Sequence, residues 1–256
     1  MSTSVPVHRQ RILITGASSG LGAGMARRWA GQGRSLALCA RRVDELERLR
    51  DELLATSPGL TVSVHQLDVT DAAAVPEVFA EATDRLGGLD RVVANAGIGS
   101  GGSLGEGHAD GNRQVAETNF LGTLHQAEAA VAHFRRVGRG HLAFMSSMSS
   151  LRGMGGSMNV YAASKAGIAA LAEGLRSDLW DTGIRISSIH PGYVRTSLLR
   201  HFPRPILAAD PDRAVAAIVA AVDREQPRAY VPAWPWAALA LPMRLLPLGL
   251  YRRVAG

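Results

Sequence analysis

The chain has 256 residues, 46% hydrophobic and 20% charged, an ordinary balance for one large α/β domain or two small ones around a buried core. Its formal charge of +6 argues against a nucleic-acid groove, because Arg228, Arg244, Arg252 and Arg253 follow the last acidic residue, Glu225, and the remainder is close to balanced. A lone cysteine, Cys39, excludes an internal disulfide and a cysteine-based metal centre, and no metal site is expected.

The first eleven residues hold no apolar run of secretory length, so the chain is expected in the cytoplasm. A β-rich run at 11–15 predicts the first strand, and apolar spacing at i, i+3 and i+4 predicts a helix over 21–30. Between them lies Thr15-Gly16-Ala17-Ser18-Ser19-Gly20-Leu21-Gly22. Glycines at 16, 20 and 22 permit a tight turn, a close approach to a pyrophosphate and close helix-on-strand packing, and the helix N-terminus offers free N–H groups. In this strand-turn-helix setting the pattern predicts a dinucleotide site.

A second strand at 35–40 takes up Cys39 as a small buried hydrophobe and runs into Arg41 and Arg42, ahead of a helix over 43–55. A carboxylate at this strand's end would bind a ribose 2′-hydroxyl, whereas arginine accommodates a 2′-phosphate. Ala40 stands where the acid would be, so the reading is NADP(H) rather than NAD.

Further strands are predicted at 60–66, 91–94, 141–145, 184–189 and, more weakly, 228–231, with helices over 72–86, 114–137, 160–180 and 211–223. The alternation implies an α/β, Rossmann-type, doubly wound and mostly parallel seven-stranded sheet with helices on both faces. No repeat or low-complexity linker divides it. Residues 1–230 are expected to form one dinucleotide-binding and catalytic domain, and 231–256 a hydrophobic, basic extension.

The helix predicted over 160–180 carries Tyr161 and Lys165, one turn apart on one face. Lys165 is the only lysine beside 27 arginines, and the two cations differ: one is a compact point charge, the other a planar fork. A phenol working near neutral pH must lose about 3 pKa units, roughly 4 kcal/mol. A unit charge at about 4 Å in an effective dielectric near 20 contributes a comparable amount. Tyr161 is therefore the candidate proton donor and acceptor.

Across residues 11–230 the sequence resembles a short-chain dehydrogenase/reductase. The motifs that carry the resemblance are Thr15 to Gly22, Leu67-Asp68-Val69, Asn95-Ala96-Gly97, Asn119, Ser146-Ser147, Tyr161 with Lys165, and Pro191-Gly192-Tyr193-Val194-Arg195-Thr196. The resemblance implies that Ser147 hydrogen-bonds the substrate oxygen, Tyr161 exchanges a proton, Lys165 holds the nicotinamide ribose and lowers the tyrosine pKa, and Asn119 anchors a relay water. It implies cofactor contacts from Gly16, Ser18, Ser19, Gly20, Leu21, Gly22, Arg41, Arg42, Asp68, Val69, Asn95, Ala96, Gly97, Pro191, Gly192, Val194 and Thr196. It also implies assembly as a homodimer or homotetramer through the long helices. Ser147 stands one residue farther from Tyr161 than the family's serine, an offset that an extra loop residue near Gly153, Gly155 and Gly156 would explain. Ser146 and Ser149 remain alternatives.

The stretches 97–107 and 197–209, with Met148, Met154 and Met158 opposite, are expected to shape an apolar substrate pocket and to close over it. The tail, residues 231–256, combines Trp234, Trp236, leucines and arginines. It cannot span a bilayer, since only fifteen residues, three of them proline, separate Arg228 from Arg244, against about 20 for a membrane helix. Its composition suits a bilayer interface, although packing over the pocket or against another subunit is the preferred reading. Two other functions compete with an enzyme: a catalytically silent nucleotide-binding regulator, and an interfacial membrane protein.

Overall fold

The computed structural model describes residues 9–99, 101–195 and 208–255. The elements in chain order are β1 (Arg11–Thr15), α1 (Gly20–Ala30), β2 (Ser35–Ala40), α2 (Val43–Thr56), β3 (Val62–Gln66), α3 (Ala74–Leu86), β4 (Arg91–Ala94), α4 (Ala109–Ala116), α5 (Gly122–Val137), β5 (Arg139–Met145), α6 (Asn159–Asp178), β6 (Gly183–Pro191), α7 (Pro211–Asp223), β7 (Arg228–Val231), α8 (Ala233–Leu245) and α9 (Leu248–Ala255).

The seven strands form one parallel sheet in the order β3-β2-β1-β4-β5-β6-β7, the Rossmann-type architecture expected from the alternating pattern. Both faces are covered. Ile12, Ile14, Leu36 and Leu38 pack against α1, α2 and α7, while Leu13, Ala37 and Cys39 pack with residues of α3, α5 and α6 on the other side. This is why the central strands read as unbroken apolar runs: the period of two is present, but each side meets a core. The caps follow local chemistry. Asp210 accepts from the N–H groups of Asp212 and Arg213 at the start of α7, and Gly138 takes φ +74° to end α5.

The chain order reverses between β1 and β4, opening a crevice beyond their carboxyl ends, where ligands bind in such sheets. Several features differ from the sequence pattern, among them the following. β3 begins at Val62 rather than at 60. The helix predicted over 114–137 is two helices, α4 and α5, joined by a π-turn at Glu117–Leu121. The tail folds into α8 and α9, with α8 against β7 and the 3₁₀ turn Met148–Leu151.

Candidate active site

The cleft begins at the turn from β1 to α1. Gly16 and Gly20 adopt φ +63° and +55°, and a Cβ at Gly22 would lie 2.3 Å from the Gly16 carbonyl oxygen. A side chain there would close the turn, so the glycines are steric requirements. Asn95 locks the neighbouring strand end to it: its amide donates to the carbonyls of Thr15 and Gly16, at 2.9 and 3.3 Å. The Thr15 hydroxyl accepts from the N–H groups of Asn95 and Ala96 and donates to Gln126. Ser19 makes no side-chain cap at α1, and the first turn of α1 has no acidic residue, leaving its N–H groups and dipole directed at the cleft.

From this turn a cavity of about 520 Å³ runs across the sheet. Gly16, Ser18, Ser19, Gly20, Leu21, Arg41, Arg42, Asp68, Val69, Asn95, Ala96 and Gly97 line one end. Ser147, Tyr161, Lys165, Pro191, Gly192 and Val194 line the other. Gly22 and Asn119 stand behind the wall, and Thr196 lies outside the described residues, as does most of the 197–209 stretch. Arg42 donates to the hydroxyls of Ser18 and Ser19 at 3.0 and 2.9 Å, while Arg41 sits 3.8 Å from Asp68. Positive charge thus gathers where β2 ends, with no carboxylate on β2 itself.

At the far end α6 brings Tyr161 and Lys165 to the floor of the cavity, both buried. The Tyr161 hydroxyl is hydrogen-bonded to Ser147, and burial, the dominant influence, pushes its pKa up to about 12. The Lys165 ammonium donates to the Met145 carbonyl at 2.8 Å and stands 5.8 Å from the Tyr161 ring centre; burial lowers it to about 8. The lysine thus stays cationic at neutral pH, but it does not offset the cost of burying the phenol, and the expected acidification of Tyr161 is not present in the protein alone.

Of the three candidate serines, Ser147 meets the tyrosine. Ser146 turns away and donates to the Lys165 carbonyl at 2.9 Å; the N–H of Ser149 donates to Ser147 Oγ at 3.2 Å. Asn119 sits in the π-turn, with its side chain donating to the Ile98 carbonyl and accepting from the Ile98 N–H. Asn119 and Lys165 converge on Gly97, where a Cβ would lie 3.1 Å from Asn119 Oδ1 and 3.4 Å from Lys165 Nζ. This cradle, the glycine turn and the cationic end together fit an extended dinucleotide.

Three further residues contribute that the sequence motifs did not name. His190 braces Ser147: its Nδ1 lies 3.2 Å from the Ser147 carbonyl and 2.9 Å from Ser150 Oγ, and its Nε2 lies 2.8 Å from Ser188 Oγ. Burial lowers its pKa to about 4, so it is neutral. Trp236 and Met243 of α8 enter the cavity wall beside Met148, Met154, Met158 and Tyr193, making the far end apolar. Packing of the tail over the pocket was the preferred expectation, but which of its residues reach the cavity is set by the fold and not by local pattern.

A doubly wound sheet with a glycine turn at its switch point and a buried tyrosine–lysine pair at the other end of the cleft defines a nucleotide-dependent α/β oxidoreductase. The model of the short chain dehydrogenase family matches residues 10–205, and the chain belongs to that family. An uncharacterized oxidoreductase of Mycobacterium tuberculosis is 48% identical over 249 residues, 97% of this chain and 98% of that protein. One from Myxococcus xanthus is 40% identical over 76% of this chain and 77% of its own length. Among solved structures, levodione reductase is 27% identical and superposes with a TM-score of 0.81 over 91% of this chain and 100% of that one. An alcohol dehydrogenase from the archaeon Thermococcus sibiricus, complexed with 5-hydroxy-NADP, is 30% identical with a TM-score of 0.75, covering 86% and 94%.

Proposed function

We propose that the protein is an NADP(H)-dependent oxidoreductase that interconverts an apolar carbonyl and its alcohol, with Tyr161 as the proton-transfer group. The observation that carries this reading is the Tyr161 hydroxyl bonded to Ser147 on the floor of a cavity that starts at the glycine turn, with Lys165 one helical turn away.

A nicotinamide cofactor, when bound in this cleft, would supply or accept the hydride. The protein does the rest. Ser147 and Tyr161 together hydrogen-bond the substrate oxygen, and the phenol, kept protonated by burial, is set to donate as negative charge develops there. Lys165, cationic at neutral pH, stabilises the phenolate as it forms and holds the nicotinamide ribose. Asn119, its side chain bonded to Ile98 and its carbonyl accepting from the Thr123 hydroxyl, would anchor a relay water from within a π-turn, a feature frequent at functional sites. At the other end Arg42, with Arg41, holds the 2′-phosphate, supported by the absence of a carboxylate on β2 and by the hydroxyls of Ser18 and Ser19 that already orient Arg42. The apolar wall of methionines, Tyr193 and Trp236 supports a lipophilic substrate. Exposed Leu121, Val137 and Trp180, around the ends of α5 and α6, support assembly with a second copy on that side.

The test is a panel of ketones, aldehydes and alcohols with NADPH or NADP⁺, beside NADH and NAD⁺, followed at the nicotinamide absorbance. Lipophilic ketones are expected to turn over best with NADPH, and Tyr161→Phe is expected to lower the rate by about 100-fold or more. Undiminished reduction by Tyr161→Phe would remove the phenol from the mechanism. A folded protein that binds NADPH yet turns over no member of the panel would favour the silent regulator.

A further inference from the structure

α8 is apolar on both of its faces, yet only one is covered. Trp236, Ala240 and Met243, spaced by one turn, face the cavity and the 3₁₀ turn at Met148. On the outer side Leu241 and Leu245, also one turn apart, are 64% and 69% exposed, and on the same segment Trp234, at the kink that opens α8, and Leu248 of α9 are 74% and 61% exposed. Most of the large exposed hydrophobic side chains among the described residues lie on this one segment. A helix hydrophobic all round requires cover on all sides, and a contiguous exposed patch marks a contact surface.

The charge around the patch selects the partner. Arg244, Arg252 and Arg253 are exposed, and among the described residues none of them forms an ion pair, whereas Arg228, nearer the core, is paired with Glu173. No acidic residue follows Glu225. The segment is held firmly: Arg152 donates to the carbonyls of Met243 and Leu246 and lies 4.8 Å over the Tyr251 ring, fixing α8 against α9. A symmetric contact with a second copy would set each cluster of unpaired arginines against, or close to, its own image with no carboxylate between them. A surface that is apolar at its centre, cationic at its edge, and carries tryptophan beside leucine matches an anionic phospholipid interface.

We infer that the outer face of α8 and α9 docks the protein peripherally on anionic bilayers, with Trp234, Leu241, Leu245 and Leu248 entering the headgroup boundary and Arg244, Arg252 and Arg253 neutralising lipid phosphates. Among the described residues no helix is long and apolar enough to cross a membrane, so the contact is interfacial. The cavity wall and the docking face are opposite sides of the same helix.

The test uses the full chain with vesicles of phosphatidylcholine alone and of phosphatidylcholine with phosphatidylglycerol, read by flotation at low and high salt. The wild type is expected to float with the anionic vesicles, to be released by salt, and to bind the neutral ones weakly. The triple variant R244Q/R252Q/R253Q should bind anionic vesicles on the order of 100-fold more weakly. L241Q/L245Q should lose at least about tenfold. Both are expected to keep the wild-type thermal midpoint, because the altered side chains are exposed. Absence of flotation with either vesicle, or equal binding by the wild type and the triple variant, would overturn the inference. So would an L241Q/L245Q protein that floats normally but dissociates in light scattering, since the face would then belong to a second copy.

Discussion

Arg42 lines the cavity and bonds the hydroxyls of Ser18 and Ser19 through one guanidinium nitrogen, leaving its other donors uncommitted to the glycine turn. Arg41 engages Asp68 only loosely, at 3.8 Å. In the proposed 2′-phosphate site Arg42 is therefore the main contributor. Arg42→Gln should then raise the KM for NADPH by about 10-fold to 100-fold, the loss of one or two charge-assisted hydrogen bonds, and leave the KM for NADH and kcat nearly unchanged. Steady-state kinetics with both cofactors would check this, and equal losses with NADPH and NADH would assign Arg42 a structural role only. At this scale the sequence was informative where chemistry is local. The glycine turn and the Tyr161–Lys165 spacing lie within single segments, so residue type and interval place them together. The selection of Ser147 over Ser146 and Ser149 was open because their side-chain directions depend on the turn after β5, which no pattern encodes. The expected lowering of the Tyr161 pKa considered one neighbouring charge and left out burial, which dominates here.

The join between β6 and α8 shows how one element positions another. Gly192, just beyond β6, packs under the Trp236 ring so closely that a Cβ would lie 2.0 Å from two of its atoms. Gly192→Ala must therefore displace Trp236 and with it the cavity wall. The expected cost is about 1–3 kcal/mol by urea unfolding, and close to none when the same change is made in a Trp236→Ala background. Equal costs in both backgrounds would show that the requirement lies in the backbone at 192 and not in the packing. Most element boundaries were readable from the sequence for a physical reason: a strand buried on both faces is a short apolar run, and its helices keep period 3.6. The π-turn at Glu117–Leu121 was not readable, since it changes hydrogen bonding without changing the apolar spacing on either side. α8 was hidden as well, because Pro232, Pro235 and Pro242 read as breakers, whereas two of them stand at the helix start and Pro242 is carried within it.

The whole molecule keeps several histidines neutral by burial, and this sets its response to acid. His65, His133, His141 and His190 all titrate below the ordinary histidine value, with desolvation as the leading cause. For His141 the hydrogen bonding shows why: its Nδ1 accepts from Arg91 Nε at 2.8 Å and its Nε2 faces Ser187 Oγ at 2.8 Å, so a second ring proton would oppose a buried guanidinium. The sign follows from proton binding. Below about pH 6.5 the unfolded chain takes up protons on these rings while the folded chain does not, so stability is complete above that value and declines as pH falls toward the folded-state pKa values. His190 alone, moved from 6.5 to about 4, contributes a loss of about 2 kcal/mol between about pH 7 and about pH 5. Urea midpoints across that range should therefore fall, and His190→Asn should flatten the slope by about that amount whatever it does to stability at neutral pH. The carboxylates lowered by arginine partners, Asp90 and Glu52, add their own loss only at lower pH, near and below the ordinary carboxylate range. A midpoint that stays level or rises on acidification would mean that these rings are protonated within the fold, contrary to the packing around them.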